Sequence, residues 1–353
     1  MAVKGIKSQP PKQWVKGNVV GSGSFGIVSL AMNKCNGELF VVKSAPSGNA
    51  MQCLEKEASI LENLNSPHVV RCLGHALSEE ANGVKNFNIF MEYMAGGSLS
   101  DVSDKFGGIL DESVIRLYTR EILQGVAYLH RSGIVHSDLK CKNVLLGSSG
   151  NVKLADFGSA RKLKSPGGDC SNEKSCQTLS GSPLWMAPEV LRKERPDFAA
   201  DIWSLGCTVI EMASGRPPWA DQVFDPMAAI FKIACGKDTP AFPADLSEEG
   251  LDFLRKCLQR DPKSRWTCEQ LLTHPFVSKK SSGTCFAEDP EDSFSPTSIL
   301  DVNDWDSEMS DGSESPDGTE FLTRTPFSMP PRKLQHRLSD LPESDNWIDV
   351  RSD

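Results

Sequence analysis

The sequence predicts an α+β fold of two lobes followed by an acidic tail without stable structure. Three observations carry this reading. Residues 14–45 read as strand-like runs broken by turn signals. From about residue 111 apolar residues recur at helical spacing. Charge is segregated: the chain has 47 Asp and Glu against 38 Lys and Arg, but residues 281–353 hold 17 acids and 5 bases, leaving 30 and 33 elsewhere. The acidity therefore belongs to the tail.

Each element follows in order. Residues 1–13 are rich in Pro and Lys and predict a flexible lead-in. Three strand-like runs come next, V-K-G-N-V-V, I-V-S-L-A-M and E-L-F-V-V-K, with Asn36-Gly37 as a turn before the third. Residues 51–64 place Leu54, Ala58, Leu61 and Leu64 on one helical face. Strand-like runs near 69–77 and 87–93 complete a strand-rich first lobe with one main helix, about residues 14–94. The second lobe, about 95–277, is helical. Its clearest helix is S-V-I-R-L-Y-T-R-E-I-L-Q-G-V-A-Y-L-H, ending before Gly133, followed by A-A-D-I-W-S-L-G-C-T-V-I-E-M-A and E-E-G-L-D-F-L-R-K-C-L. Residues 278–353 are rich in Ser, Pro, Asp and Glu, too poor in apolar groups to offset their ordering entropy, and predict disorder.

Composition narrows the function classes. The net charge of −9 argues against nucleic-acid binding. No apolar run approaches a membrane span, and the N-terminus lacks the apolar core of a secretory signal. Eleven cysteines without metal-ligand spacing predict reduced, structural thiols in a cytoplasmic protein with possible nuclear access.

Chemistry enters with G-S-G-S-F-G-I-V, residues 21–28. Glycines at 21, 23 and 26 let backbone amides approach phosphate oxygens. A dinucleotide-binding loop would open a helix here, whereas a strand follows, and a strand lysine, Lys43, comes after it. A lysine on an apolar strand needs a partner. Glu55 and Glu57 both flank the inward face of the 51–64 helix, and their spacing does not choose between them. Further on, H-S-D-L-K-C-K-N offers Asp138 as a proton acceptor, Lys140 as a counter-charge for a transferring phosphoryl group and Asn143 as a neutral metal ligand. Asp156 in L-A-D-F-G, a hard oxygen donor after a strand-like run, suits Mg²⁺. A-P-E at 187–189 closes the series.

In this order the motifs resemble those of a eukaryotic protein kinase over about residues 14–276. The resemblance implies a bilobal protein-kinase fold. D-x-K-x-x-N resembles the serine/threonine class. G-S-P-L-W-M-A-P-E-V and L-E-K-E-A-S-I-L resemble MAP kinase kinase kinases of the MEKK group, in the form of the plant members. It implies ATP and Mg²⁺ as cofactors, MAP kinase kinases as substrates and a role in a stress- or hormone-responsive cascade. The loop Gly21, Ser22, Gly23, Ser24, Phe25 and Gly26, with Val28, would cover the nucleotide. Lys43 would hold its α- and β-phosphates and pair with Glu57. Met91 would be the gatekeeper, and the Glu92 carbonyl and Met94 amide would bond the adenine edge. Asp138 would be the base, Lys140 would contact the γ-phosphate, and Asn143 and Asp156 would hold Mg²⁺. Leu61, His136 and Phe157 would stack in the core, Glu189 would pair with Arg265, and Asp201 would brace the catalytic loop.

One departure matters. Relatives switched by activation-loop phosphate usually carry Arg before the catalytic Asp, where this chain has Ser137. Serine cannot clasp a phosphate bidentately, so a loop ordered without phosphorylation is expected. Thr178, Ser180 and Ser182 are the candidate activation-segment phosphosites. In the tail Ser295, Ser315 and Thr325 precede Pro and suit proline-directed feedback phosphorylation, and R-K-L-Q-H-R-L-S-D-L at 332–341 is a candidate docking segment for a downstream MAP kinase. The second departure, Trp266 where Pro is usual, is expected to be harmless. Cys141, Cys170 and Cys176 are expected to be incidental thiols. The competing reading is an ATP-binding pseudokinase scaffold, which the presence of Lys43, Asp138, Asn143 and Asp156 opposes.

Overall fold

A computed structural model describes residues 10–23, 26–79, 83, 85–163, 181–194, 197–223, 225–278 and 348–351. The first lobe is an antiparallel sheet built from β1 (Gln13–Gly23), β2 (Gly26–Asn33), β3 (Leu39–Pro46), β4 (Cys72–Glu79) and β5 (Lys85–Glu92), with helix α1 (Asn49–Leu61) between β3 and β4. Strand alternation gives β3 two faces. Phe40 and Val42 point one way, into a small core with Trp14, Ala31 and Phe90, whose three aromatic rings meet edge-on or tilted at 5.5–6.2 Å. Lys43 and Ala45 point the other way, toward Leu54, Ala58 and Leu61 of α1. The odd-even register of one strand thus aims the lysine at the helix.

The second lobe begins with β6 (Gly97–Ser98), α2 (Leu99–Lys105) and α3 (Glu112–Arg131). Ser98 and Asp101 form a reciprocal capping box at the start of α2. Short strands β7 (Ile134–Val135), β8 (Val144–Leu146), β9 (Val152–Leu154) and β10 (Arg161–Lys162) then frame two loops. The helices α4 (Pro188–Leu191), α5 (Phe198–Ser214), α6 (Pro226–Cys235), α7 (Glu248–Cys257), α8 (Cys268–Leu272) and α9 (Pro275–Ser278) complete it. Helix α5 is apolar around most of its circumference and buried along its length, as expected of a helix at the centre of a lobe. It crosses α7 closely at Gly206, where an added Cβ would lie 2.9 Å from the Cys257 Cβ.

The sequence-derived elements and the observed ones agree to within a few residues. One strand was not foreseen. β11 (Ile348–Arg351) pairs antiparallel with β1 and extends the first sheet to six strands in the order β11-β1-β2-β3-β5-β4. The remainder of the expected tail, 279–347 and 352–353, lies outside the described residues, as does the lead-in at 1–9. Among the described residues no helix is long and apolar enough to cross a membrane.

Candidate active site

The glycine loop is the β1–β2 hairpin. Gly23 pairs with Gly26, and Ser24 and Phe25 at its tip lie outside the described residues. Gly26 has φ 136°, and a Cβ there would lie 2.6 Å from the Ser44 carbonyl oxygen, so only glycine fits this approach to β3. Around Gly23 nothing lies within 4 Å of an added Cβ, which leaves that backbone open to a ligand. Val28 faces Lys43 across the β2–β3 ladder.

Lys43 settles the choice that spacing left open. Its Nζ donates to Glu57 Oε1 and Oε2 at 2.9 and 2.7 Å, and to Asp156 Oδ1 at 2.8 Å. Glu57 is 1% exposed, whereas Glu55 lies on the solvent side of α1. Burial works against the Lys43 ammonium, but the carboxylates of Glu57 and Asp156 outweigh it and hold the pKa above the ordinary lysine value. Burial also works against the Asp156 carboxylate, and Lys43 beside it holds that group below the usual range. Both groups are therefore charged at neutral pH. Replacing Glu57 with Ala should lower kcat/KM about 10²-fold, because a lysine left with Asp156 alone is no longer positioned. Glu55→Ala should leave activity and stability unchanged within about 0.5 kcal/mol. Steady-state kinetics on the two variants check this, and equal losses would remove the assignment.

The catalytic loop, residues 136–143, runs between β7 and β8 and is held from behind by Asp201 of α5. The fully buried Asp201 accepts from the His136 and Ser137 amides at 2.9 Å each, and its Oδ2 lies 2.9 Å from His130 Nε2. Burial opposes its ionisation, yet these bonds, His130 first, hold the carboxyl below its usual range. The grip is on backbone amides, so it does not depend on the side chain at position 137. Ser137 sits at φ 67°, and its buried hydroxyl has no hydrogen-bond partner among the described residues. Asp156, at φ 60°, is the other left-handed residue of the centre. Non-glycine residues in this region are strained and cluster at functional sites.

Asp138 is buried, with a donor on each of its carboxylate oxygens. Oδ1 accepts from the Ser182 amide at 2.9 Å, Oδ2 from Asn143 Nδ2 at 2.9 Å, and Lys140 Nζ lies 3.3 Å from Oδ2. Lys140 Nζ also donates to the Ser182 hydroxyl at 2.5 Å. Ser182 was a candidate phosphosite in the sequence. The structure places its amide and hydroxyl on the two residues expected to perform transfer. Thr178 and Ser180 lie outside the described residues, as do Ser295, Ser315 and Thr325.

The Asn143 amide nitrogen is committed to Asp138, so its carbonyl oxygen is the end left for a cation. The Ala155 amide donates to the Asn143 backbone carbonyl at 2.9 Å, which brings Asp156 beside it. Phe157 is buried with Leu61 in one core and meets the His136 ring edge-on at 5.0 Å. At the far end of β5, Met91 and Met94 are buried. The Glu92 carboxylate bonds Lys153 at 2.6 Å and the Arg71 amide at 2.7 Å, and the Glu92 amide donates to the Arg71 carbonyl at 3.1 Å, so neither its side chain nor its amide is left for a ligand.

A helical acid missed in the sequence completes the centre. Glu211 Oε2 accepts from the Cys141 amide at 3.0 Å and from Trp185 Nε1 at 2.9 Å, tying the catalytic loop to the segment after Ser182. The signal was present: Asp201 and Glu211 are the two acids of an otherwise apolar helix, and a buried acid must be partnered. Burial, with Glu211 close by, pushes the Cys141 thiol well above its ordinary pKa, which suppresses the reactive thiolate. Cys170 and Cys176 lie outside the described residues.

The profile of the protein kinase domain matches residues 14–277. The chain belongs to the protein kinase family. The kinase is 40% identical over 285 residues to mitogen-activated protein kinase kinase kinase 2 of Arabidopsis thaliana, covering 78% of this chain but 42% of that relative. It is 40% identical over 299 residues to kinase kinase kinase 17 of the same plant, covering 83% and 77%, and 39% identical over 307 residues to number 18, covering 85% and 87%. The kinase thus spans less than half of some of these relatives and most of others. Membership implies ATP and a divalent cation. Among the described residues no cluster of three or more His, Cys, Asp or Glu could hold a metal by itself. The Asn143 carbonyl and the partly exposed Asp156 carboxylate fit a hard cation whose remaining ligands are phosphate and water oxygens.

Proposed function

We infer that this kinase transfers the ATP γ-phosphoryl group to Ser or Thr hydroxyls of a MAP kinase kinase. The observation that carries the reading is the joint engagement of Lys43 by Glu57 and Asp156, which assembles lysine, helix and DFG segment into one charged centre. Lys43 is assigned the α- and β-phosphates and Lys140 the γ-phosphate, both as fixed counter-charges. Asp138, held by Ser182 and Asn143, accepts the proton of the substrate hydroxyl. Asn143 and Asp156 are assigned Mg²⁺, which neutralises developing charge on the phosphates. The substrate class is supported by the similarity of the chain to mitogen-activated protein kinase kinase kinases and by the resemblance of G-S-P-L-W-M-A-P-E-V to that group.

The test is label transfer from γ-labelled ATP with Mg²⁺ to a catalytically dead MAP kinase kinase, followed by phosphoamino-acid analysis. Phosphoserine or phosphothreonine is expected. Absence of label on every MAP kinase kinase tried would favour the scaffold reading.

Ser137 shapes the regulation we assign. The Asp201 clamp orders the catalytic loop through backbone amides, and no guanidinium stands at 137 to receive a phosphate. The Thr178→Ala/Ser180→Ala double variant should keep activity within about threefold of wild type, since no phosphate-clasping bond is lost. A near-total loss in the same transfer assay would overturn this.

A further inference from the structure

We propose that Cys268 is a positioning residue for the catalytic loop, acting on it through His130 and Asp201. The three side chains form one chain of bonds drawn from three helices. His130 stands in the last turn of α3, Asp201 in the first turn of α5 and Cys268 at the start of α8. Asp201 Oδ2 lies 2.9 Å from His130 Nε2, and Cys268 Sγ lies 3.4 Å from His130 Nδ1. The same carboxylate holds the His136 and Ser137 amides at 2.9 Å each. Both ring nitrogens of His130 are therefore engaged, and among the described residues the thiol is the group at Nδ1.

The chemistry of the two ends fixes the proton on the ring. Asp201 is an ionised carboxylate and can only accept. His130 Nε2 must then carry the hydrogen, and in a neutral imidazole that leaves Nδ1 as an acceptor facing the thiol. Burial, with the Asp201 and Glu269 carboxylates close by, pushes the Cys268 thiol above its ordinary pKa. The thiol keeps its proton and donates it. The order is thus S–H to Nδ1, Nε2–H to Oδ2, and two loop amides to the carboxylate. Without the thiol, Nδ1 is an acceptor without a partner on a side chain only 10% exposed. An unpaired buried acceptor is costly, and the ring then turns about its one remaining bond. That movement reaches Asp201, and through it the two amides that precede and set Asp138.

Cys, His and Asp in one chain of bonds are also the residue types of a thiol nucleophile with its base and orienting acid. Here they are built for holding. Cys268 is 1% exposed, its thiolate is suppressed, and Asp201 is committed to backbone amides. The first turn of α8 is itself fixed by the reciprocal capping box of Thr267 and Gln270, which presents Cys268 to the ring. On α5 the Phe198 ring lies 4.7 Å from that of His130. The catalytic loop is thereby registered on α3, α5 and α8 together, with the side chain at 137 taking no part. The inference rests on the kinase reading only in that this loop carries Asp138.

The experiment reads the ring directly. The chain has six histidines, and nitrogen NMR of the labelled full-length protein shows which ring nitrogen carries the proton, His130 being assigned by its absence in His130→Gln. Wild type and Cys268→Ser, which keeps a donor, should both show the proton on Nε2 and a hydrogen-bonded acceptor at Nδ1. Cys268→Ala should lose the hydrogen-bonded signature at Nδ1 and lower kcat about tenfold through displacement of the loop. Its KM for ATP should stay within about twofold, because Lys43 and the glycine loop are untouched. Cys268→Ser should recover kcat to within about threefold of wild type, since the hydroxyl donates in place of the thiol. A proton on Nδ1 of the wild-type ring overturns the proposal whichever variants fold. So does a Cys268→Ala protein with wild-type kcat. A Cys268→Ser protein as slow as the alanine variant also overturns it, in favour of packing alone. The expected ring spectra in a protein that transfers no phosphate would sink the kinase reading and leave the brace standing.

Discussion

Asp138→Asn should lower kcat by about three orders of magnitude, or about 4 kcal/mol of transition-state stabilisation. The substitution keeps the shape of the side chain and removes its ability to take a proton. It also breaks the local pattern of bonds. The carboxylate accepts from the Ser182 amide on one oxygen and from Asn143 and Lys140 on the other. An asparagine has one accepting oxygen and must turn its amide toward a donor at one of these places. A stability loss of about 1–3 kcal/mol is expected beside the kinetic one. Because Lys43 and the glycine loop are untouched, the KM for ATP should change by less than about threefold. Single-turnover rates with a MAP kinase kinase substrate and a thermal melt separate the effects. A kcat within tenfold of wild type would remove Asp138 from the role of base.

The second large effect concerns folding. Glu189 and Arg265 form a buried two-pronged pair, with Nη1 to Oε1 at 2.6 Å and Nη2 to Oε2 at 2.8 Å. The guanidinium also donates to the carbonyls of Ala199 and Gln259 and lies 5.2 Å from the Trp203 ring centroid. It thereby ties the short helix after the activation segment to the start of α5. Glu189→Ala leaves a buried arginine without its counter-charge and should cost about 3–5 kcal/mol, or roughly 10 °C in melting temperature for a domain of this size. Arg265→Ala should cost a similar amount. The double variant should cost clearly less than the sum, because neither charge is then orphaned. Denaturant melts of the three variants decide it, and strict additivity would sink the idea of a coupled pair. The neighbouring Trp266, where Pro was usual, packs edge-on to His274 at 5.8 Å and lies under the Lys256 ammonium at 5.2 Å. The side chain that replaced a turn aid contributes packing of its own.

Much of this architecture was legible in the chain because its signals are local. The glycine loop could be told from a dinucleotide loop because a strand follows it, and β2 is that strand. The helix at 51–64 showed its inward face through Leu54, Ala58 and Leu61. It starts two residues earlier than the apolar pattern, at Asn49, because Gly48 at φ 112° supplies the turn into it. The partner of Lys43 was not legible from spacing. Glu55 and Glu57 flank the same helical stripe, and only the approach of β3 across the sheet selects one. The same limit hid Ser182 and Glu211, whose partners lie 26 to 70 residues away in the chain. No window of sequence contains both ends of such a bond. The strand at 348–351 escaped for a different reason. In a Ser- and Asp-rich tail four alternating residues carry no weight until an edge strand is found to receive them.

The contact between Ser182 and the transfer centre changes what a mutational scan of the activation segment means. Loss of activity on substituting Thr178 or Ser180 would report on a switch. Loss at Ser182 would report on the alignment of Asp138 and Lys140, whose donors and acceptors it completes. The two kinds of loss look identical in an alanine series. They part company with threonine, which keeps the hydroxyl for Lys140, and with aspartate, which sets a second anion against Asp138 where a mimic of phosphate was intended. At this position a dead aspartate variant is a statement about charge repulsion at the reacting centre.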